Sequence, residues 1–127
     1  MNKYSGKGNK RAGYRVDVAL PVELLIKDTN GKILQINMMS NNLSIGGISV
    51  KNNDLFFLSE GDSVLLHFKF GKSAVTVVSL VKVVRENAVG FQFKTVVELD
   101  PPSHNNDKHF VVLLNKFIFE EQRKKMW

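Results

Sequence analysis

A series of short apolar segments, separated by tight-turn signals, most constrains the fold of this chain. Asn30-Gly31, Gly71-Lys72 and Glu86-Asn87 stand between segments rich in β-branched and aromatic residues. This spacing is typical of antiparallel strands joined by hairpins, because Asn and Gly readily adopt the positive φ angles of tight turns. The chain is therefore predicted to be mainly β, with antiparallel neighbours.

Six strands are predicted from these segments. The first contains Pro21, which has no amide hydrogen to donate, so we expect an edge or a bend there. The second is expected to stop at the turn-forming residues Ser40-Asn41-Asn42. Six short strands joined by tight turns indicate a six-stranded antiparallel β-barrel or closed sheet. The predicted strands are Val16 to Lys27, Ile33 to Met39, Ile48 to Val50, Val64 to Phe70, Ala74 to Arg85 and Val89 to Phe93.

A C-terminal α-helix is predicted after a loop that Pro101 and Pro102 stiffen. It is expected to run from about Asp107, as its N-cap, to about Lys125. Arg123, Lys124 and Lys125 complement the helix dipole in the last turn. An apolar face, which should pack on the barrel, is formed at helical spacing by Phe110, Leu113, Leu114, Phe117 and Ile118.

Length and composition bound the class of protein. With 127 residues the chain is expected to form one domain with one core. The absence of cysteine excludes disulfides, thiolate nucleophiles and cysteine-based zinc sites, and makes the cytoplasm the default location. No stretch approaches the ~20 apolar residues of a membrane span, and no apolar run follows the N-terminal charges, so neither anchor nor signal peptide is expected.

Positive charge is concentrated at the N-terminus. The formal net charge is +6, and the rest of the chain is almost neutral. Residues 1–15 are therefore predicted to be a flexible basic arm that binds a small anionic ligand or a phosphate backbone. The alternative is a solvated tail without a ligand. The cations that precede the first acidic residue, Asp17, are Lys3, Lys7, Lys10, Arg11 and Arg15.

Two short motifs stand before predicted strands. Arg11-x-x-x-Arg15 precedes the first strand, and Asn42-x-Ser44-x-x-Gly47 precedes the third. In this order they resemble the two signatures of PilZ domains, and Val84 to Phe93, with its Val-Gly-Phe element, resembles the closing hairpin of that family. Either motif alone is a weak signal, but both in the right order around the right strands are specific.

The resemblance implies a PilZ-like six-stranded barrel with a C-terminal helix, residues 16–127, preceded by the arm that carries the two arginines. It also implies a bacterial receptor that binds cyclic di-GMP and signals to a protein partner, rather than an enzyme. Arginine suits such a ligand because guanidinium groups bind phosphates and guanine O6/N7 bidentately and stack on bases. The implied site consists of Lys10, Arg11, Arg15, Asn42, Ser44, Gly46 and Gly47.

Two of these positions depart from the common family pattern. Many members carry arginine at the position of Lys10, and lysine lacks the planar fork for bidentate contact or stacking. Many carry aspartate at the position of Asn42, whose amide accepts through one oxygen where a carboxylate accepts through two. Both departures bear on the affinity and stoichiometry of nucleotide binding.

Other site chemistry finds little support in the sequence. His104, Asp107 and His109 lie close together but lack a fourth ligand, so no metal is expected. No catalytic constellation is present, and no cofactor is predicted. The apolar run from Leu55 to Leu58 is expected to plug the core, and it becomes a docking candidate if exposed.

Three function classes stay open. The primary hypothesis is a cyclic di-GMP receptor in which the ligand orders the arm and thereby changes the surface that a partner contacts. The second is a PilZ-fold protein-interaction module that does not bind the nucleotide. The third is a nucleic-acid-binding barrel that uses the arm. The third is disfavoured because the aromatic residues of the strands, Phe68, Phe70, Phe91 and Phe93, follow core alternation.

Overall fold

The computed structural model describes residues 15–125. Within this range, seven β-strands precede one α-helix. The strands are β1 Arg15–Asp17, β2 Pro21–Lys27, β3 Ile33–Ser44, β4 Gly47–Lys51, β5 Ser63–Phe70, β6 Ser73–Val84 and β7 Ala88–Asp100, and the helix is α1 Asn106–Lys125.

The strands close into an antiparallel barrel. β2 pairs with β3 and β5, β3 pairs with β4, β4 pairs with β7, and β6 joins β7 to β5. β1 pairs with the far end of β3, so β1 and β2 occupy one position in the ring. The predicted six-stranded antiparallel barrel is confirmed, with its first strand in two pieces.

The interruption between β1 and β2 is bridged by a buried side chain. Ser40 of β3 is only 1% exposed, and its Oγ accepts a hydrogen bond of 2.8 Å from Leu20 N. The same hydroxyl donates to the carbonyl of Val18. Pro21 then begins β2 opposite Met39. The single strand predicted from Val16 to Lys27 is therefore divided, and the bend expected at Pro21 lies just before it.

The predicted end of the second strand at Ser40-Asn41-Asn42 is wrong. β3 continues to Ser44, with a register shift between Ser40 and Asn42 where it pairs with β4. This part of β3 has β1 on one side and β4 on the other. Two ladders of backbone hydrogen bonds outweigh the local turn preference of Asn and Ser, and the extra residue is accommodated as a β-bulge.

The last strand is longer than the predicted segment, which ended at Phe93. β7 runs to Asp100, and its second half pairs with β6, with Thr95 opposite Val78 and Leu99 opposite Val75. The register shifts at three places along this pair. Such irregularities break the period of two that sequence alternation relies on, which is why this half of the strand gave a weak signal.

The predicted apolar face of the helix packs on the barrel. Phe110, Leu114 and Ile118 are buried. The ring of Phe110 lies 5.4 Å from that of Phe93 and 5.8 Å from that of Phe70, both edge to face. Phe68, Phe70 and Phe91 are buried and Phe93 is partly buried, so the predicted core alternation is confirmed.

The helix N-cap differs from the prediction. Asn105 Oδ1 accepts a hydrogen bond of 3.3 Å from Lys108 N, which is the geometry of an N-cap. Asp107 was the predicted cap, but its Oδ1 accepts a hydrogen bond of 2.8 Å from Val96 N in β7. Asp107 therefore lies inside the first turn and connects the helix to the barrel.

The loop between β4 and β5 divides its apolar run into two parts. Leu55 and Leu58 are buried, whereas Phe56 is 64% exposed and Phe57 is 53% exposed. The prediction of a core plug is thus correct for the two leucines only.

The described part of the chain contains no helix that combines the length and the apolar character needed to span a bilayer.

Candidate functional site

Five of the predicted site residues lie in the described part of the chain, and four of them, all except Gly46, come together on the outer face of the barrel. Arg15 of β1 stands opposite Ser44 of β3. The intervening positions Val16, Leu43 and Ile48 are buried. Since side chains alternate across a strand, those of Arg15, Asn42 and Ser44 point away from the core, and Gly47 lies on the same side.

A row of small and polar residues crosses this face. Asp17 stands opposite Asn42, Asn42 opposite Ser49, and Ser49 opposite Gly90. Beside this row, Gly47 stands opposite Gln92. Neither sequence motif includes Asp17, Ser49, Gly90 or Gln92. Alternation places each of them on the outer side of its strand, but only the register shows that they are neighbours of Asn42 and Gly47.

The Ser44 hydroxyl closes the connection from β3 to β4. Gly47 N donates to Ser44 Oγ over 3.1 Å, and Ser44 Oγ donates to Gly47 O over 3.2 Å. Phe93 N donates to Gly46 O over 2.9 Å, which ties this connection to β7. The motif therefore shapes its own backbone, as Ser and Asn commonly do in turns.

The two glycines of the motif have different surroundings. A Cβ at Gly47 would lie 2.2 Å from the carbonyl oxygen of Phe91, so β7 leaves no room for a side chain there. A Cβ at Gly46 would meet no heavy atom within 4 Å. Gly47 is thus required by the close approach of two strands, and Gly46 leaves open space above the barrel.

The Asn42 amide and the Arg15 guanidinium on this face are available to a ligand. Within residues 15–125, the Asn42 amide and the Arg15 guanidinium form no hydrogen bond or ion pair. Lys10 and Arg11, the other basic residues predicted for the site, lie outside the described residues. Arg15 is therefore the member of the arginine pair whose position relative to Asn42 is known.

The helix contacts the same edge of the barrel. Gln122 Nε2 of α1 donates a hydrogen bond of 2.8 Å to the carbonyl oxygen of Arg15. This bond joins residues 107 positions apart in the chain. No local pattern in the sequence could have indicated it. It links the backbone at the predicted ligand site directly to the last turns of the helix.

Metal ligation has no site in the described part of the chain. No group of three or more His, Cys, Asp or Glu side chains in residues 15–125 could hold a metal ion. The Asp107 carboxylate, one of three residues considered for such a role, is engaged by the Val96 amide.

Comparison with known proteins agrees with the fold. A model of the PilZ domain family matches residues 9–112. The chain is similar to the PilZ domain of YcgR from Escherichia coli, solved with c-di-GMP, at 16% identity and a TM-score of 0.57, covering 88% of this chain and 91% of that one. It is also similar to the PilZ domain of CeSA from a cellulose-synthesising bacterium, at 17% identity and a TM-score of 0.58, covering 80% and 93%.

A third similar structure belongs to a longer protein. The Bacillus subtilis inhibitor of motility, MotI/DgrA, matches at 16% identity with a TM-score of 0.67 over 88% of this chain. The chain spans 50% of the length of that protein. At these identities the likeness shows the fold alone. No curated protein has a significant sequence match to the chain.

Proposed function

The chain belongs to the PilZ domain family, and on that premise we propose that it is a cyclic di-GMP receptor that passes nucleotide binding to a protein partner. The observation that carries the proposal is the register of β1, β3 and β4, which puts Arg15, Asn42, Ser44 and Gly47 on one outer face. The related YcgR domain, which has this fold, was solved with c-di-GMP. Bacterial and cytoplasmic settings are part of the proposal.

The chemistry of this face suits a cyclic dinucleotide. The Arg15 guanidinium offers a planar fork to a phosphate or to guanine O6 and N7, and the Asn42 amide offers a donor and an acceptor to a base edge. Ser49, Gly90 and Gly47 carry little or no side chain, so the surface between these groups is low enough for a flat base. Lys10 and Arg11 complete the proposed site from the N-terminal arm.

The proposed output runs through the helix. In this proposal the nucleotide holds Lys10 and Arg11 against the face that bears Asn42, which fixes the chain on the N-terminal side of β1. The carbonyl of Arg15 accepts a hydrogen bond from Gln122. A change in the position of Arg15 therefore reaches α1 without an intermediate residue, and the arm and the helix together form the surface that a partner would contact.

Isothermal titration with cyclic di-GMP tests the proposal, with GTP and cyclic di-AMP as controls for selectivity. Arg11→Ala and Arg15→Ala should each weaken binding about ten- to a hundredfold. Asn42→Ala removes a neutral amide and should weaken binding less. Lys27→Ala removes a charge from an exposed position at the end of β2 and should leave the affinity unchanged.

Two substitutions in the motif are poor tests of binding. Gly47→Ala places a Cβ against the Phe91 carbonyl, and Ser44→Ala opens the connection to β4. Either change disturbs the barrel whether or not a nucleotide binds. Asn42→Ala is the cleaner variant, because the amide holds no other side chain of the described chain in place.

The alternative is a PilZ-fold interaction module that does not bind the nucleotide. Asn42 favours this alternative, because its amide offers a guanine edge one acceptor oxygen where a carboxylate would offer two. Titration separates the two functions. Selective binding of cyclic di-GMP that is weakened in Arg15→Ala establishes the receptor. If the titration gives no heat and high nucleotide concentration causes no thermal shift, the protein is assigned to partner binding alone.

A further inference from the structure

The outer face of α1 carries an unusual combination of side chains. With the helix packed on the barrel through Phe110, Leu114 and Ile118, the opposite side of the helix forms one stripe along its length. All of its members are exposed. We call it the outer stripe, and its members are Lys108, Val112, Asn115, Lys116, Phe119 and Arg123.

Two large apolar side chains of the outer stripe face solvent. Val112 is 62% exposed and Phe119 is 60% exposed. They are seven positions apart, two helical turns, and therefore lie in line along the helix. The guanidinium carbon of Arg123 lies 6.0 Å from the centroid of the Phe119 ring, so a cation covers part of this apolar surface.

The charges of the outer stripe have a single sign. Lys108, Lys116 and Arg123 are its charged members, and it contains no carboxylate. The nearest carboxylate, Glu120, lies one turn after Lys116 at the edge of the stripe, and both residues border the crevice between α1 and the β5–β6 hairpin. Glu121 pairs with Lys124. The stripe therefore carries three cations and no carboxylate over a span of roughly 22 Å at the helical rise.

We propose that the outer stripe of α1 binds an anionic lipid bilayer, with the helix lying flat on the surface. Val112 and Phe119 enter the headgroup region, and Lys108, Lys116 and Arg123 contact lipid phosphates. Basic helices with exposed apolar side chains bind such interfaces through apolar burial together with attraction to anionic lipids. Long cationic side chains bury their methylene stems while the charged end stays at the phosphates.

The shape of the outer stripe favours lipid over an acidic protein. The stripe is the convex side of a single helix, so it offers no groove that would position a partner chain. A fluid bilayer needs no complementary shape and supplies an anion wherever a cation lies along the helix. An acidic protein segment is the competing occupant, and the experiment below separates the two.

A pair of exposed aromatic residues elsewhere in the described chain provides an internal contrast. Phe56 and Phe57 are as exposed as the apolar members of the outer stripe. Their loop, however, carries Asp54, Glu60 and Asp62 and no cation between Asn52 and Ser63. An anionic bilayer would repel this loop, so exposure of apolar surface alone does not define the proposed lipid-binding face.

Co-sedimentation of the full chain with vesicles tests the inference. Vesicles of equal parts phosphatidylglycerol and phosphatidylcholine should bind the protein at low salt, and pure phosphatidylcholine vesicles should not. Each cation beside an anionic surface strengthens binding roughly fivefold, so Lys108→Gln/Lys116→Gln/Arg123→Gln should weaken the partition about a hundredfold. Val112→Ser/Phe119→Ser should weaken it as well.

Matched variants elsewhere control for net charge and apolar content. Lys27→Gln/Lys69→Gln/Lys82→Gln removes three exposed charges from the barrel, and Phe56→Ser/Phe57→Ser removes two exposed aromatic rings from the loop. Both should bind vesicles like the unaltered chain. Circular dichroism confirms that each variant keeps the fold before its partition is compared.

Three outcomes overturn the proposal. Failure of the anionic vesicles to bind the chain leaves an acidic protein segment as the occupant of the outer stripe. If the helix and barrel charge variants lose vesicle binding to the same extent, net charge alone accounts for the attraction. Full binding by the helix variant assigns the attraction to the basic arm. None of these outcomes depends on the nucleotide, so the experiment tests lipid binding independently of the proposed receptor function.

Discussion

Ser40→Ala tests how the interruption in the first barrel strand is stabilised. The Ser40 hydroxyl accepts from Leu20 N and donates to Val18 O across the gap between β1 and β2. Alanine removes both bonds and leaves two backbone groups without a partner. Because Val18 and Leu20 are partly buried, water can reach these groups in part, so we expect about 1 kcal/mol for each, or about 2 kcal/mol in all.

A second buried serine provides the matched control. Ser79 is fully buried at 0% exposure, but its hydroxyl makes only a long contact of 3.4 Å to the carbonyl of Val77. Ser79→Ala deletes the same atom from an equally buried position and leaves no backbone group newly unpaired. Its effect on the free energy of unfolding should stay within about 0.5 kcal/mol.

Urea denaturation followed by circular dichroism measures both variants. With an m value of roughly 2 kcal/mol/M for a domain of this size, Ser40→Ala should lower the midpoint by about 1 M and Ser79→Ala by much less. Amide exchange at Leu20 should accelerate in Ser40→Ala alone. Equal midpoints for the two variants would show that the Ser40 bridge does not stabilise the fold, and the reasoning from unpaired backbone groups would be refuted.

Three further substitutions follow from contacts in the barrel and the helix, each measured as a change in the free energy of unfolding. Gly47→Ala should cost several times more than Gly46→Ala, since only the former meets the Phe91 carbonyl, and equal costs would contradict the close approach. Asn105→Ala should cost about 1 kcal/mol through loss of the N-cap, and no loss of stability would rule out that role. Leu55→Ala should cost about 2–5 kcal/mol because the side chain is fully buried, and a neutral result would show that the loop is not part of the core.

The fold class was predictable because it depends on local signals that repeat. Turn residues at Asn30-Gly31 and Gly71-Lys72 and alternation in the segment from Val64 to Phe70 are properties of short stretches. The helix face from Phe110 to Ile118 is of the same kind, since it needs only a period of 3.6 residues. Each of these elements is present where it was expected.

The predictions that were wrong concern residues whose local preference is outweighed by contacts with distant parts of the chain. Ser40-Asn41-Asn42 favours a turn, yet β1 and β4 pair with β3 on both sides, so these residues continue the strand. Asp107 has the chemistry of an N-cap, yet the amide of Val96 engages its carboxylate and Asn105 caps the helix. In both cases the deciding partner is distant in sequence.

By itself the sequence determined the residue types of the candidate site, because the motifs from Arg11 to Arg15 and from Asn42 to Gly47 are contiguous. It also determined that the barrel would have one helix packed on it. The tertiary structure alone decided which residues neighbour the motifs, since the register of β1, β3, β4 and β7 brings Ser49 and Gly90 beside Asn42. It alone decided that Gly47 is required by the Phe91 carbonyl and that Gln122 holds Arg15. Contacts between distant segments arise from closure of the barrel, and no pattern within a short window carries that information.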